Sequence, residues 1–415
     1  MEKNRLQQEL EELRARGADV IDLIDTNFHR NGYRLPDELL LPLMEQYVRQ
    51  RMYAPDPKGS IAARESISAY YAARGVTLSP DDILLTASSS ESYNLLFNNL
   101  ASPGDNLVLP SPTYPLFEFL AEFNRLEVRF YRMDREYRID LASLADAIDA
   151  RTRFVVLISP NNPTGQVASR EEIEGIAELC ARSGAAIISD EVFSEFLYPA
   201  HGIATGAPSS VLPPAPLELP RPAALAGSLP VYTLNGISKM FASPDLKLGW
   251  IAVSGERKRI SEPIERLEVA NDVFLNCSSL AQFILPSLFA KATDFTRGMV
   301  AELARKRELL VSAVNARSGV EAASGDAAEA RDAAHGREVT LIPPRGGIHC
   351  PVCVALPGGD DEEFALGLLR ERLVYLHPGY FYGFEESTDS IHVVLSFLLR
   401  EELLTEGLAR FLGYL

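Results

Sequence analysis

Between Asp82 and Val253 the chain repeats one pattern: a short apolar run, a polar turn, then a stretch of helical period. The runs are Asp82–Thr86, Asn106–Pro110, Glu127–Arg132, Arg153–Ile158 and Ala185–Ser189, followed by two more that flank residue 239. Arg153–Ile158 does not alternate polar with apolar residues. It has the near-continuous hydrophobicity of a strand covered on both faces. Strands of that kind alternating with helices predict an α/β fold with a mostly parallel central sheet flanked by helices. Open α/β sheets bind ligands at the carboxyl ends of their strands. The residues that follow each run therefore deserve the closest reading.

The last pair of runs encloses Tyr232-Thr-Leu-Asn-Gly-Ile-Ser238-Lys239-Met-Phe-Ala-Ser-Pro-Asp-Leu-Lys247-Leu-Gly249-Trp250. A Ser-Lys pair alone means little, because most loop lysines are solvated. Here the lysine lies between two apolar runs, after a glycine and before a Pro-Asp turn, at the end of a buried strand. Loss of water disfavours its ammonium form and lowers its pKa. A neutral amine can form a Schiff base with an aldehyde, and the natural aldehyde is pyridoxal 5′-phosphate. Such a cofactor needs partners for its phosphate, its ring nitrogen and its phenolate oxygen.

Other strand ends offer them. Asp82–Thr86 runs into Ala87-Ser88-Ser89-Ser90-Glu91 and a helix, Glu91–Leu100. Free N–H groups and the positive end of a helix dipole make an anion site there, although serine caps also occur without ligands. Tyr114 follows the second run and could pack or stack. Asn161-Asn162-Pro163-Thr164-Gly165 follows Arg153–Ile158. Asp190-Glu191-Val192-Phe193 follows Ala185–Ser189, and its aspartate either caps a turn or meets a cationic group. Nearer the N-terminus, Asp25-Thr-Asn27-Phe-His29-Arg30-Asn-Gly32-Tyr33-Arg34 mixes a cation, an amide and aromatics. It reads as either a surface connection or a substrate-facing loop.

Composition removes several alternatives. A net charge of −17 repels nucleic acid and anionic lipid, so neither is an expected partner. No apolar run reaches membrane-spanning length, and the polar start of the chain has no signal-peptide core. Cys350-Pro-Val-Cys353 has no second such pair and lies in a strand-like run, where residues three apart face opposite sides. Ordinary buried thiols, no metal and a reducing cytoplasm are expected. Glu2–Arg16 predicts a charged helix with Leu6, Leu10 and Leu13 on one side, packed on a partner subunit or on its own domain. His201–Pro230 reads as a surface insertion and Ser318–His335 as a mobile low-complexity excursion. The expected domains are an N-terminal arm joined to a small domain (1–45), a large domain (46–295) and a small α+β domain (296–415).

With these motifs in hand, the chain resembles the class I/II aminotransferases of fold-type I pyridoxal phosphate enzymes, the superfamily that includes aspartate aminotransferase. The resemblance spans nearly the whole chain. It rests on Ser88–Ser90, Asn162-Pro163-Thr164-Gly165, Asp190-Glu191-Val192-Phe193, and Ser238-Lys239 followed by Lys247-Leu248-Gly249, in the family's order. It implies that Lys239 carries the cofactor and moves the substrate proton, and that Asp190 keeps the ring nitrogen protonated. It further implies that Tyr114 stacks on the ring and Asn162 bonds its oxygen. Ser89, Ser90 and Ser238 would hold the phosphate. Tyr53 would reach the phosphate of a neighbouring subunit, which makes the expected state a homodimer with shared sites.

Three departures accompany the resemblance. Phe193 stands where the family has a tyrosine that donates to the ring oxygen. Lys247 replaces a phosphate-binding arginine, keeping the charge and losing the bidentate fork. Val394 falls where an arginine clamps the substrate carboxylate. Arg30 is the first candidate replacement and His392 the second, with Asn27 and Asn162 beside the substrate. The expected activity is transfer of an amino group between an amino acid and a 2-oxo acid. A lyase or decarboxylase is the alternative on the same fold. A cofactor-binding regulator ranks last, since only about twenty residues precede the first strand signal and the acidity disfavours DNA.

Overall fold

A computed structural model describes residues 4–51, 53–199, 218–274, 277–317 and 337–415. Seven strands form the main sheet: β1 Ile83–Thr86, β2 Asn106–Ser111, β3 Glu127–Arg132, β4 Thr152–Ile158, β5 Ala186–Asp190, β6 Val231–Gly236 and β7 Gly249–Ser254. Their spatial order is β1-β7-β6-β5-β4-β2-β3. All neighbours are parallel except at β7, which runs antiparallel to both β1 and β6. Six strands therefore point one way, and β7 begins where they end. The inner strands are buried along nearly their whole length, as an absence of alternation requires.

Local signals set the connections. Ser169 and Glu172 make the reciprocal capping box that opens the helix Arg170–Ser183. That helix closes on Gly184 in the left-handed region (φ 81°), which returns the chain directly into β5. Asp140 caps the helix Leu141–Ala147 through two backbone N–H groups. Apolar side chains of the flanking helices cover the sheet on both faces, Leu96 and Leu267 among those on one, Ile173 and Ile176 on the other.

A smaller antiparallel sheet comprises β8 Val339–Thr340, β9 His349–Ala355, β10 His377–Pro378 and β11 Ser390–Ser396, in the order β10-β11-β9-β8. The N-terminal segment joins this part of the molecule. Ile21–Asp22 pairs in parallel with Val374–Tyr375, and Ser396 donates its N–H to the Leu23 carbonyl. Leu6 and Leu10 of the first helix, Arg5–Ala15, lie buried in the same apolar cluster as Phe364 and Leu368. That helix packs on its own domain.

Three expectations change. The expected strand Val339–Ile342 ends at Thr340. Lys239 sits on a one-turn helix, Ile237–Met240, between the two strands instead of in a bare turn. Of the stretch 201–230, residues 201–217 lie outside the described residues, as do 318–335. The remainder is not a surface loop: Leu219, Arg221 and Leu229 are buried. The reason is charge pairing, since Arg221 Nε donates to Glu191 Oε2 at 2.9 Å with both side chains nearly sealed from water. The four cysteines are free thiols, of which Cys180 and Cys350 are buried and Cys277 and Cys353 half-buried. Among the described residues no helix is long and apolar enough to cross a membrane.

Candidate active site

The parallel course of the strands gathers the singled-out residues at one edge. Thr86 pairs with Gly249, Gly249 with Gly236, Leu234 with Asp190, and Asp190 with Ile158. The chain leaves these ends through Ser88–Ser90, Lys239, Asp190 and Asn162, with Tyr114 beyond β2 and Lys247 just before β7. Segments up to about 160 residues apart in sequence meet along this edge, at the position where open α/β sheets bind ligands.

Lys239 is half-buried, and no carboxylate pairs with it among the described residues. Burial first, and the nearby Lys247 second, push its amine below the ordinary lysine value. The ring of Phe28 lies 5.4 Å from the Nζ. Phe28 comes from the N-terminal polar loop, so that loop does reach the site. It is fastened there by His29, whose Nε2 lies 2.9 Å from the Ala242 carbonyl.

Asp190 closes β5. Its Oδ1 accepts the Val192 N–H at 3.1 Å and its Oδ2 accepts the Tyr93 hydroxyl at 2.9 Å. Burial nevertheless pushes the carboxyl up to about 6, because neither neutral donor replaces water or a cation. A buried carboxylate with donors on both oxygens and no positive partner suits a protonated ring nitrogen. The two asparagines after β4 divide their labour. Asn161 Oδ1 accepts from the Thr164 N–H and hydroxyl and so shapes the turn. Among the described residues, Asn161 Nδ2 and Asn162 Oδ1 are both buried without a hydrogen-bond partner. Tyr114 is exposed three residues past β2, and the Thr113 N–H bonds the Tyr382 carbonyl at 2.8 Å. Phe193 is buried with its ring 6.4 Å from that of His349.

The anion site starts at Ser88, which caps the helix Ser89–Leu100 with its own hydroxyl. The N–H groups of Ser89 and Ser90 have no intrahelical acceptor, and the dipole end adds positive potential. Gly249 packs on the Ser88 backbone so tightly that a Cβ there would lie 3.0 Å from the Ser88 carbonyl carbon. Lys247, two residues before Gly249, is in the left-handed region at φ 49° and exposed, and Ser238 is on the turn that carries Lys239. Glu91, unremarked as a ligand of this turn, binds the Ala87 N–H and braces it. Amine, carboxylate, amide and anion cradle together fit pyridoxal 5′-phosphate.

The substrate side is less as expected. Arg30 Nε lies 3.0 Å from Asp25, and its side chain is 66% exposed. Asn27 spends its Oδ1 on the Arg30 N–H at 2.9 Å. Val394 is fully buried in β11, and His392 stacks on Phe384 with ring centroids 4.6 Å apart. Tyr53 is 80% exposed on its loop.

Sequence reading did not single out Tyr93, Phe28, Arg221 or the histidines His349 and His377. Tyr93 carried the one usable signal: a polar hydroxyl on the apolar face of the helix that opens at the serine turn.

The model of the family described as "Aminotransferase class I and II" matches residues 31–397. The chain is 27% identical to nicotianamine aminotransferase 1 of Oryza sativa subsp. japonica over 340 residues, 80% of this chain and 61% of the relative. It is 24% identical to tyrosine aminotransferase of Caenorhabditis elegans over 355 residues, 83% of this chain and 68% of that one. The chain thus spans about six tenths of the length of the rice relative. Its fold matches that of an alanine aminotransferase from Pyrococcus furiosus with a TM-score of 0.84 at 23% identity, covering 99% of this chain and 95% of that one.

Proposed function

The chain belongs to the class I and II aminotransferases, whose cofactor is pyridoxal 5′-phosphate, and we propose that it moves an amino group between an amino acid and a 2-oxo acid with Lys239 as the residue that holds the cofactor and shuttles the proton. The observation that carries this reading is a half-buried lysine amine with lowered pKa on the same sheet edge as a buried aspartate, neither with an oppositely charged partner among the described residues. When bound, the cofactor supplies an aldehyde and an electron-withdrawing ring.

The protein's own contributions follow from position. Burial and Lys247 disfavour the ammonium form of Lys239, so its amine would serve to hold a carbonyl group and to accept or return a proton at the substrate α-carbon. Asp190, steadied by Tyr93 and Val192, offers negative charge to the ring nitrogen. The Asn162 amide nitrogen would donate to the ring oxygen and Tyr114 would cover a ring face. Ser89, Ser90, Ser238 and Lys247 would hold the phosphate. Phe28 and Phe193 keep water from the amine. Asn27 and Arg30 border the substrate.

Residues 1–45 and 296–415 act as a small domain against the large domain, 46–295. Exposed apolar side chains on the helix Asp37–Gln50, Leu41 and Val48, together with Tyr53, support a homodimer in which Tyr53 reaches the partner's phosphate. Free thiols support residence in the cytoplasm.

The test is chemical. Protein reconstituted with pyridoxal 5′-phosphate and reduced with borohydride should carry the cofactor on residue 239, and Lys239→Ala should carry none. An adduct retained by that variant refutes the assignment. Amino donors should then release 2-oxo acid and leave the cofactor as its amine; release of another product, with the aldehyde form regained, would select the lyase or decarboxylase instead.

A further inference from the structure

The smaller sheet carries two imidazoles on one face. His349 in β9 is opposite Ser396 of β11, Pro351 is opposite Val394, and Val394 is in turn opposite His377 of β10. Residues directly opposite one another in an antiparallel pair project to the same face. His349 and His377 therefore share one surface, with Val394 between them in register. His349 is buried, its ring packs edge-on against Phe193, and it feels the charge of both Lys239 and His377. No hydrogen bond to the His349 ring is made by the described residues. His377 has its Nδ1 3.0 Å from the Tyr382 hydroxyl, which leaves its Nε2 unclaimed.

Among the described residues no carboxylate pairs with either ring. Burial, with Lys239 and His377 adding to it, pushes His349 down to about 3, and burial pushes His377 down to about 4. A neutral imidazole is still a hydrogen-bond donor at one nitrogen. It lacks the full charge and the paired fork with which a guanidinium grips a carboxylate.

We propose that His349 and His377 receive the carboxyl end of the amino donor as N–H donors in place of a guanidinium fork, so that the site takes α-amino acids and their α-carboxamides with only a small preference for the acid. The inference rests on the proposed role of Lys239 but not on transfer itself. A donor bonded to the cofactor at residue 239 would place its α-substituents near the amine whose charge His349 feels, and the His349 ring has no hydrogen-bond partner among the described residues. A neutral donor distinguishes a carboxylate from a carbonyl by about tenfold or less, the difference between a hydrogen bond to a charged and to a neutral acceptor.

The experiment uses the reconstituted holoenzyme and ligands that bind without reacting further: 2-methylalanine and 2-methylalaninamide, which have no α-proton to lose. Their dissociation constants are read from the cofactor's absorbance, so a failure of amino transfer leaves the readout intact. The wild-type protein should bind the acid no more than about tenfold more tightly than the amide. His377→Arg should raise that ratio at least thirtyfold by supplying the missing fork. His349→Phe and His377→Phe should each weaken the acid about tenfold, at unchanged cofactor content and thermal midpoint. A wild-type ratio above a hundredfold overturns the proposal. So does a pair of histidine variants that leave the acid within twofold while Arg30→Ala weakens it.

Discussion

Asp190→Asn should make the cofactor-free protein more stable at neutral pH while weakening its hold on the cofactor. The carboxyl is raised from 3.8 to about 6 by burial. In the unfolded chain it ionises near its ordinary value, so between the two values the folded state binds more protons. The group's contribution to stability is therefore present in full below pH 4 and is lost as pH rises through 6. At pH 7.5 the buried ionised form costs about 3 kcal/mol, taking about 1.4 kcal/mol for each pH unit. An asparagine of the same shape escapes that cost. Its Oδ1 can keep the Val192 N–H, and its amide can donate to a rotated Tyr93 hydroxyl. Urea unfolding of both cofactor-free proteins at pH 7.5 should favour the variant by roughly 2–3 kcal/mol. Near pH 4 the gap should close. A variant that is less stable than the wild type at pH 7.5, or a gap that ignores pH, would refute the argument. With cofactor present the order should reverse, because the ring nitrogen loses its counter-charge.

Two further outcomes are expected. Phe193→Tyr should lower the pKa of the lysine–cofactor imine, because a hydroxyl beside the ring oxygen neutralises charge that otherwise holds the imine proton; an unchanged or higher value in a spectroscopic titration counts against this. Sedimentation of the holoenzyme should give twice the chain mass, and Leu41→Glu with Val48→Glu should shift it toward the monomer; a monomeric wild type would sink the shared-site reading.

Much of this site could be read from the chain because a parallel sheet delivers strand ends to one place. Once Arg153–Ile158 and Ala185–Ser189 are taken as parallel strands, Asn162 and Asp190 must be neighbours, and Lys239 follows by the same logic. The residues that escaped notice act across the fold. Tyr93 lies 97 residues before Asp190 and meets it only when the helix Ser89–Leu100 docks. Arg221 stands among prolines and alanines that suggest a surface loop, and only its pairing with Glu191 draws it inward. His377 occupies a two-residue strand, too short for any periodicity, and its place opposite Val394 is a matter of register. Arg30 shows the reverse: a cation that looks free in the sequence has a local acid, Asp25, to hold it.

The way the strand ends line up has a consequence for how errors in this molecule would show themselves. Side chains on a strand change faces at every residue, so a slip of one position in β1, β4, β5, β6 or β7 would swing at least one cofactor contact out of line. Retention of the vitamin is thus a simultaneous vote by strands scattered across 170 residues, and a coloured preparation certifies the alignment of a sheet that no single bond within it could vouch for.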